Sequence, residues 1–320
     1  MKVARAQNGN IVLRETAKLH LNGCKGAIVE VICCGLCGSD IVKIRQDVTQ
    51  AVLGHEIVAQ IVEIDSDTDF KVGDEIVTSH HVPCGQCEFC KNGNVSMCRH
   101  FKETNIEPGG FSEYVYVSDE HLKKMACLKP AELSYDEATF YEPLGCCVRA
   151  IRRGDKCIMG GTALVIGLGS IGIIMAQALR AYGVNVTGVD LLEERMNLLK
   201  KYGINTGETA NVDAVFMTSG SDKAIETALK SVRDGGKIVV FSSTPQNSGY
   251  ANNEIYYREL TVMGSYSPGP EDLKESLELL ESGKVNVKGL STEYTLENIE
   301  QAFEDAVSNK VLKACIRVKT

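Results

Sequence analysis

The 320-residue sequence has no excess of positive charge: 34 lysines and arginines stand against 42 aspartates and glutamates, a net charge of −8. An acidic surface offers no electrostatic footprint for nucleic acid or for anionic lipid, so neither is expected as a partner. Met1 to Asn10 mixes charges and amides with small residues and lacks the apolar run of a secretory signal peptide, which makes the cytoplasm the expected compartment. No internal repeat or low-complexity linker is evident. Hydrophobic residues at 44% and charged residues at 24% are ordinary for a globular protein and argue against a disordered, collagen-like or coiled-coil chain. The length accommodates two domains.

One run lacks charge altogether. Cys157 to Leu179 is long enough to cross a bilayer, but Gly160, Gly161, Gly167, Gly169 and Gly172 divide it into a short strand, a turn and the start of a helix, which argues against a membrane span. Cysteine, by contrast, is abundant, with 13 residues. A reducing compartment keeps thiols free and a chain of this size builds a core without staples, so a disulfide framework is not expected; metal binding or catalysis explains the cysteines better.

The first 135 residues read as short β-type runs between turns: Ala27 to Cys33, Ile57 to Ile64, Glu75 to Thr78 and Tyr114 to Val117 are rich in β-branched residues. After about Pro143, strand-like segments (163–166, 185–189, 214–217, 237–241, 259–263) alternate with helical ones (171–182, 192–202, 223–232), the pattern of a parallel sheet with crossover helices. Residues 271–281 and 296–308 have amphipathic helical periods, and a β-like tail, Lys313 to Val318, is expected to return to the first domain.

Gly167-Leu-Gly169-Ser-Ile-Gly172 follows a strand-like segment and opens a helix, the context that distinguishes a dinucleotide fingerprint from a chance match. The first glycine makes the tight turn, the second admits the pyrophosphate, the third lets the helix pack closely, and the amides at Ser170, Ile171 and Gly172 face the anion. Asp190 ends the next strand at about the 20-residue spacing of the ribose-binding carboxylate. A carboxylate repels a 2′-phosphate, and Leu191 and Leu192 offer no basic group beside it, so NAD is expected rather than NADP.

Cys84, Cys87, Cys90 and Cys98 gather four thiols in one loop, the ligand set of a closed tetrahedral zinc site; an iron–sulfur cluster uses the same chemistry and is the alternative. Cys37-Gly-Ser39-Asp40 and Gly54-His55-Glu56 form a second constellation. A thiolate, an imidazole and carboxylates around an open position make a catalytic zinc site.

Taken in order, Cys37-Gly-Ser39-Asp40, Gly54-His55-Glu56, the four-cysteine loop, Glu142-Pro143-Leu144 and the Gly167 fingerprint resemble the zinc-containing medium-chain dehydrogenases, in particular the branch of sorbitol and other polyol dehydrogenases. The resemblance covers essentially the whole chain. It implies an α/β protein with a GroES-like, mostly β catalytic domain (1–143 and 269–320, with the structural zinc loop 84–98) and a Rossmann cofactor domain (144–268). It implies two zinc ions and NAD, Cys37 and His55 as catalytic zinc ligands, and Glu56 and Glu142 as further ligands or holders of zinc-bound water. Cys146 and Cys147 become packing residues, Ser39 the proton-passing hydroxyl, and Asp40 the residue that holds the ligands. Val42 occupies the position where many relatives carry a relay histidine, with Lys43 after it, and the segment from Cys37 to Gly54 is short for the family.

Thr218 to Gly220, Ser242 to Thr244 and Gly264 to Tyr266, including Ser265, follow successive cofactor-domain strands and are candidate nicotinamide contacts; Phe111 and Tyr141 are candidates to line a substrate pocket. The expected activity is oxidation of a secondary alcohol of a polyol or sugar derivative. A simple secondary-alcohol or threonine-type dehydrogenase and a non-catalytic NAD(H) sensor are the alternatives. The resemblance also implies a homodimer or homotetramer.

Overall fold

In the computed structural model, residues 1–47, 51–154, 160–243 and 249–319 are described. They divide into two compact units, one comprising Met1–Pro143, Gly269–Leu277 and Val287–Thr320, the other Leu144–Pro268 and Glu278–Asn286.

The first unit is built on a seven-stranded sheet. Its path runs Thr292–Thr295, Ala314–Arg317, Gly26–Gly35, Glu56–Asp65, Glu75–Thr78, Cys127–Leu128, and Tyr114–Ser118 also pairs with Gly26–Gly35. The long central strands are nearly continuous runs of Val, Ile, Ala and Cys, which suits strands buried on both faces. Val29, Val31, Ile57, Ile61, Phe111, Val115, Phe303 and Ile316 meet in the main core of this unit. The tail strand Ala314–Arg317 pairs antiparallel with Gly26–Gly35 and brings the end of the chain against its beginning.

That pairing also joins Cys33 to Cys315 in a disulfide whose Cα atoms are 6.7 Å apart. This bridge departs from the expectation that the cysteines serve metal, catalysis and packing. Neighbouring antiparallel strands place these two Cα atoms within bridging distance, a proximity that spacing along the sequence cannot reveal.

The second unit holds a parallel six-stranded sheet in the order Asn205–Thr206, Asn185–Val189, Thr162–Ile166, Val212–Met217, Val232–Val240, Thr261–Gly264. Numbered along the unit, that is 3-2-1-4-5-6, the doubly wound order whose switch point faces a dinucleotide. Helices Ser170–Ala181, Glu193–Lys201 and Asp222–Ser231 connect the strands. The fifth strand spans Val232–Val240 and so begins earlier than the expected residue 237: Val232 pairs with Val212 and Lys237 with Ala214, and Arg233 to Gly236 form the irregularity between them, with Gly235 at φ +66°. The uncharged run from Cys157 is strand Thr162–Ile166 followed by a helix, with 157–159 outside the described residues. No helix among the described residues is long and apolar enough to cross a membrane.

Candidate metal and cofactor sites

Two strand ends and one short helix assemble the candidate metal centre in the first unit. Cys37 sits immediately before helix Gly38–Arg45, and His55 and Glu56 open strand Glu56–Asp65. Gly54 makes the turn into that strand at φ +89°, where a Cβ would stand 2.8 Å from the Phe111 nitrogen, so only glycine delivers His55 and Glu56 here. One ligand atom from each of Cys37, His55 and Glu56 lies within 4.8 Å of the others.

A single buried carboxylate organises this group. Asp40 Oδ2 accepts from the Cys37 backbone N–H at 3.3 Å, and its Oδ1 faces His55 Nδ1 at 3.4 Å, an ion-pair distance rather than a good hydrogen bond. Burial works against both charges, yet each sustains the other. His55, beside Asp40 and Cys37, is held well above the ordinary imidazole range, and Asp40 stays below the ordinary carboxylate range. A metal-bound histidine is oriented by such an outer carboxylate.

Glu56 has a partner that the sequence reading did not single out. Its Oε2 accepts from the buried ammonium of Lys313, which stands just before the tail strand. Burial disfavours that charge, but Glu56, Cys37 and Glu142 outweigh it and raise the Lys313 pKa. Gly35 lies opposite Glu56 in the ladder, and a Cβ there would come 2.0 Å from Glu56 Oε2. The only hint in the sequence is a lone lysine leading into an apolar strand.

The other oxygen, Glu56 Oε1, is buried with no hydrogen-bond partner. A buried carboxylate oxygen without a donor is costly, and a cation between Cys37, His55 and Glu56 would satisfy it, so the residues fit a metal with an open coordination position. Glu142, buried at the start of helix Tyr141–Arg153, is not one of the atoms in this compact group, although its charge acts on Lys313. Ser39 is exposed on the first turn of the helix that follows Cys37.

The four-cysteine loop is closed. Sulfur separations are 3.5 Å for Cys98 and Cys84, 3.6 Å for Cys87 and Cys90, and 3.9 Å for Cys84 and Cys90. Zinc–sulfur bonds of about 2.3 Å at tetrahedral angles put sulfurs about 3.8 Å apart, which matches; an iron–sulfur cluster, with several irons between its thiolates, needs a wider cage. Backbone N–H groups of Gln86 and Cys87 hold Cys84 down to about 6, whereas burial pushes Cys90 up to about 12.

In the second unit, Gly167 turns at φ +92° with Ser219 close behind, and a Cβ on Gly172 would stand 1.8 Å from the Gly167 carbonyl oxygen. A Cβ on Gly169, by contrast, would meet nothing within 4 Å, leaving the approach to helix Ser170–Ala181 open for a phosphate. Asp190 accepts from the Leu168 and Leu192 amides at 2.6 and 2.9 Å and lies 3.7 Å from Arg195.

Thr218 donates its hydroxyl to the Gly167 carbonyl at 2.6 Å, a brace for the glycine turn. Ser242 has a buried hydroxyl without a partner, Ser265 follows the edge strand, and Thr244 lies outside the described residues. Phe111 is fully enclosed in the core, and Tyr141 is buried with its hydroxyl donating to the Met125 carbonyl. Cys147 is buried, and among the described residues neither it nor Cys146 belongs to a metal-holding group.

Residues 23–127 match the alcohol dehydrogenase GroES-like domain and residues 170–282 the zinc-binding dehydrogenase domain. Sorbitol dehydrogenase of Bacillus subtilis (strain 168) is 31% identical over 99% of this chain and 96% of its own length. The chain belongs to the zinc-containing medium-chain dehydrogenase family. It is an oxidoreductase of the zinc-dependent alcohol and polyol dehydrogenase type, and its cofactor is a nicotinamide dinucleotide. D-arabitol-phosphate dehydrogenase of Enterococcus avium is 29% identical over 90% of this chain and 89% of its own. Among solved structures, the alcohol dehydrogenase TADH from Thermus sp. ATN1 shares the fold, with a TM-score of 0.88 over 100% of both chains at 21% identity.

Proposed function

We propose that this dehydrogenase oxidises a secondary alcohol of a polyol or sugar derivative to the ketone, reversibly, with NAD as hydride acceptor. The observation that carries the reading is the group of part-buried Cys37 with buried His55 and Glu56, and its unpartnered Glu56 oxygen. Cys37, His55 and Glu56 would hold a zinc ion, which would supply a Lewis acid for an alcohol oxygen. Glu142 is a further carboxylate for the same ion. Asp40 keeps the Cys37 backbone and the His55 ring in place, Lys313 offsets the Glu56 charge, and the exposed Ser39 hydroxyl passes the substrate proton to solvent. The four-cysteine site takes a second zinc with a structural role.

Gly167, Gly169, Ser170, Ile171 and Gly172 would hold the cofactor, Asp190 would take the adenosine ribose, and Thr218, Ser242 and Ser265 are the candidate contacts for the nicotinamide. The Asp190 carboxylate favours NAD over NADP. The named substrates of the two relatives, sorbitol and an arabitol phosphate, support the polyol class. We take the catalytic domain as 1–143 with 269–320 and the cofactor domain as 144–268; the compact units differ from these bounds at Glu278–Asn286, which groups with the second unit. A homodimer or homotetramer is supported by the edge strand Thr261–Gly264, which pairs on one side only among the described residues. The thiolate zinc ligands support a reducing, cytoplasmic setting, and the Cys33–Cys315 bridge is the feature among the described residues that runs against it.

The test is NADH formation by the zinc-loaded protein across polyols, sugar phosphates, simple secondary alcohols and threonine, with Cys37→Ala as control. Turnover confined to polyols or sugar phosphates and absent in the control supports the reading. Turnover confined to simple alcohols or threonine replaces it, and silence with zinc and NADH bound points to a sensor.

A further inference from the structure

The tail strand Ala314–Arg317 meets strand Gly26–Gly35 on rungs that carry different chemistry. Cys315 lies opposite Gly35, which in turn lies opposite Glu56, and two residues along Arg317 lies opposite Cys33. Residues two apart on an extended chain face the same way, which puts Lys313 and Cys315 on one side of the tail and Cys33 and Gly35 on one side of its neighbour. Gly35 leaves the space that the ion pair fills: a Cβ there would stand 2.0 Å from Glu56 Oε2 and 2.9 Å from Lys313 Cε. The Lys313 ammonium is buried against Glu56 with the Phe140 ring 5.4 Å away, and two residues on, the Cys33–Cys315 bridge ties the same two strands together.

Lysine loses more rotamer freedom on burial than most side chains, so keeping its ammonium on Glu56 needs a backbone that does not shift. The Lys313 carbonyl accepts from the Thr292 amide at 2.9 Å, which ties it to the edge strand on the far side of the tail, and the Leu36 amide donates to the Ala314 carbonyl at 2.9 Å. The bridge adds a covalent tie toward the strand that faces Glu56. Glu56 offers its other oxygen, Oε1, to a cation, and an ammonium fixed on Oε2 repels that cation and lowers its affinity.

We propose that the Cys33–Cys315 bridge is a positioning element for the metal group: closed, it fixes Lys313 against Glu56 and makes zinc easier to release; open, it lets the ammonium withdraw, and the group holds zinc more tightly. This rests on the metal-site reading above. Closing the bridge joins two thiol sulfurs and passes two hydrogens to a low-molecular-weight disulfide, which becomes two thiols; opening it with such thiols is the reverse, so metal retention follows the redox state of the surroundings. Cys33 and Cys315 are both 0% exposed, so exchange waits on local opening of the tail strand.

The experiment uses the zinc-loaded full chain equilibrated with oxidised glutathione, with the closed bridge verified by mass spectrometry as a cross-linked peptide. Cys315→Ala and, from the other strand, Cys33→Ala supply the open state. Acetylation of Lys313 by an N-hydroxysuccinimide ester, referenced to the exposed Lys310, should be about tenfold or more faster in the open state. Competition with a chromogenic chelator should show the more weakly held zinc bound about tenfold more tightly in the open state, and in a Lys313→Met background the state of the bridge should no longer alter that affinity. A bridge with only a structural role would loosen the ion in both backgrounds. Absence of the cross-linked peptide, equal labelling of Lys313 in the two states, or a more weakly held zinc bound equally or less tightly in the open state would each overturn the proposal. Labelling that follows the bridge while zinc occupies the four-cysteine loop alone supports the positioning of Lys313 and counts instead against the metal-site reading.

Discussion

Replacing Lys313 by methionine removes an ammonium from a pair in which the two side chains are 3% and 0% exposed. Methionine fills similar space, so packing changes little and the main effect is electrostatic: Glu56 is left as a buried charge whose other oxygen already lacks a donor. Removing one partner of a buried ion pair costs about 3–5 kcal/mol. That cost should appear in the metal-free protein as a lowered denaturation midpoint for the transition that reports on strand Glu56–Asp65. Zinc supplies replacement positive charge, so the loaded variant should lose less than the metal-free one. Adding Glu56→Gln to Lys313→Met removes the orphaned charge and should recover part of the loss, giving a coupling of at least about 1 kcal/mol in a double-mutant cycle. Losses that simply add, or a Lys313→Met variant as stable as wild type with and without zinc, would refute the reasoning.

Gly172→Ala should weaken NADH binding in a fluorescence titration and cost about 1–3 kcal/mol in stability, because its Cβ has no room beside the Gly167 carbonyl. Asp190→Ser should raise the kcat/KM for NADP relative to NAD by about tenfold or more, since it removes the carboxylate that repels a 2′-phosphate, 3.7 Å from the Arg195 guanidinium. Arg233 and the Thr162 amide and hydroxyl hold Asp213 down at about 2. A depressed carboxylate stabilises the fold above its ordinary pKa, so that contribution should fade as pH falls from about 4 to about 2, and Asp213→Asn should flatten the melting profile across that window.

What could be read before the fold was known is what the chain encodes locally. The four cysteines share one loop and the three glycines one turn, so their spacing already carries the geometry that ligand or anion requires, and the sulfur separations of 3.5–3.9 Å agree with one ion. Cys37 and His55 are ordinary residues taken alone, and they are legible only through the resemblance that their motifs make together with the four-cysteine loop and the Gly167 fingerprint. Lys313 was not, since its partner is 257 residues away and the two meet only through the order of strands in the sheet. The Cys33–Cys315 bridge, 282 residues apart, is hidden for the same reason. His80 reads in sequence as half of a His-His pair, and only the fold shows its ring between those of His55 and His81 with Nδ1 unpaired. Arg233 to Gly236 were hard to place for a different reason, since only the isolated pairing of Val232 with Val212 extends the fifth strand back across them, with Gly235 at φ +66°.

The central claim, two zinc sites of which only one does chemistry, is tested most directly by counting metal in His55→Ala beside wild type. Wild type should hold two zinc ions per chain and turn over alcohol. The variant should hold one, keep its fold and the four-cysteine site, and lose turnover. A variant that still holds two ions, or that holds one and keeps wild-type turnover, would contradict the account.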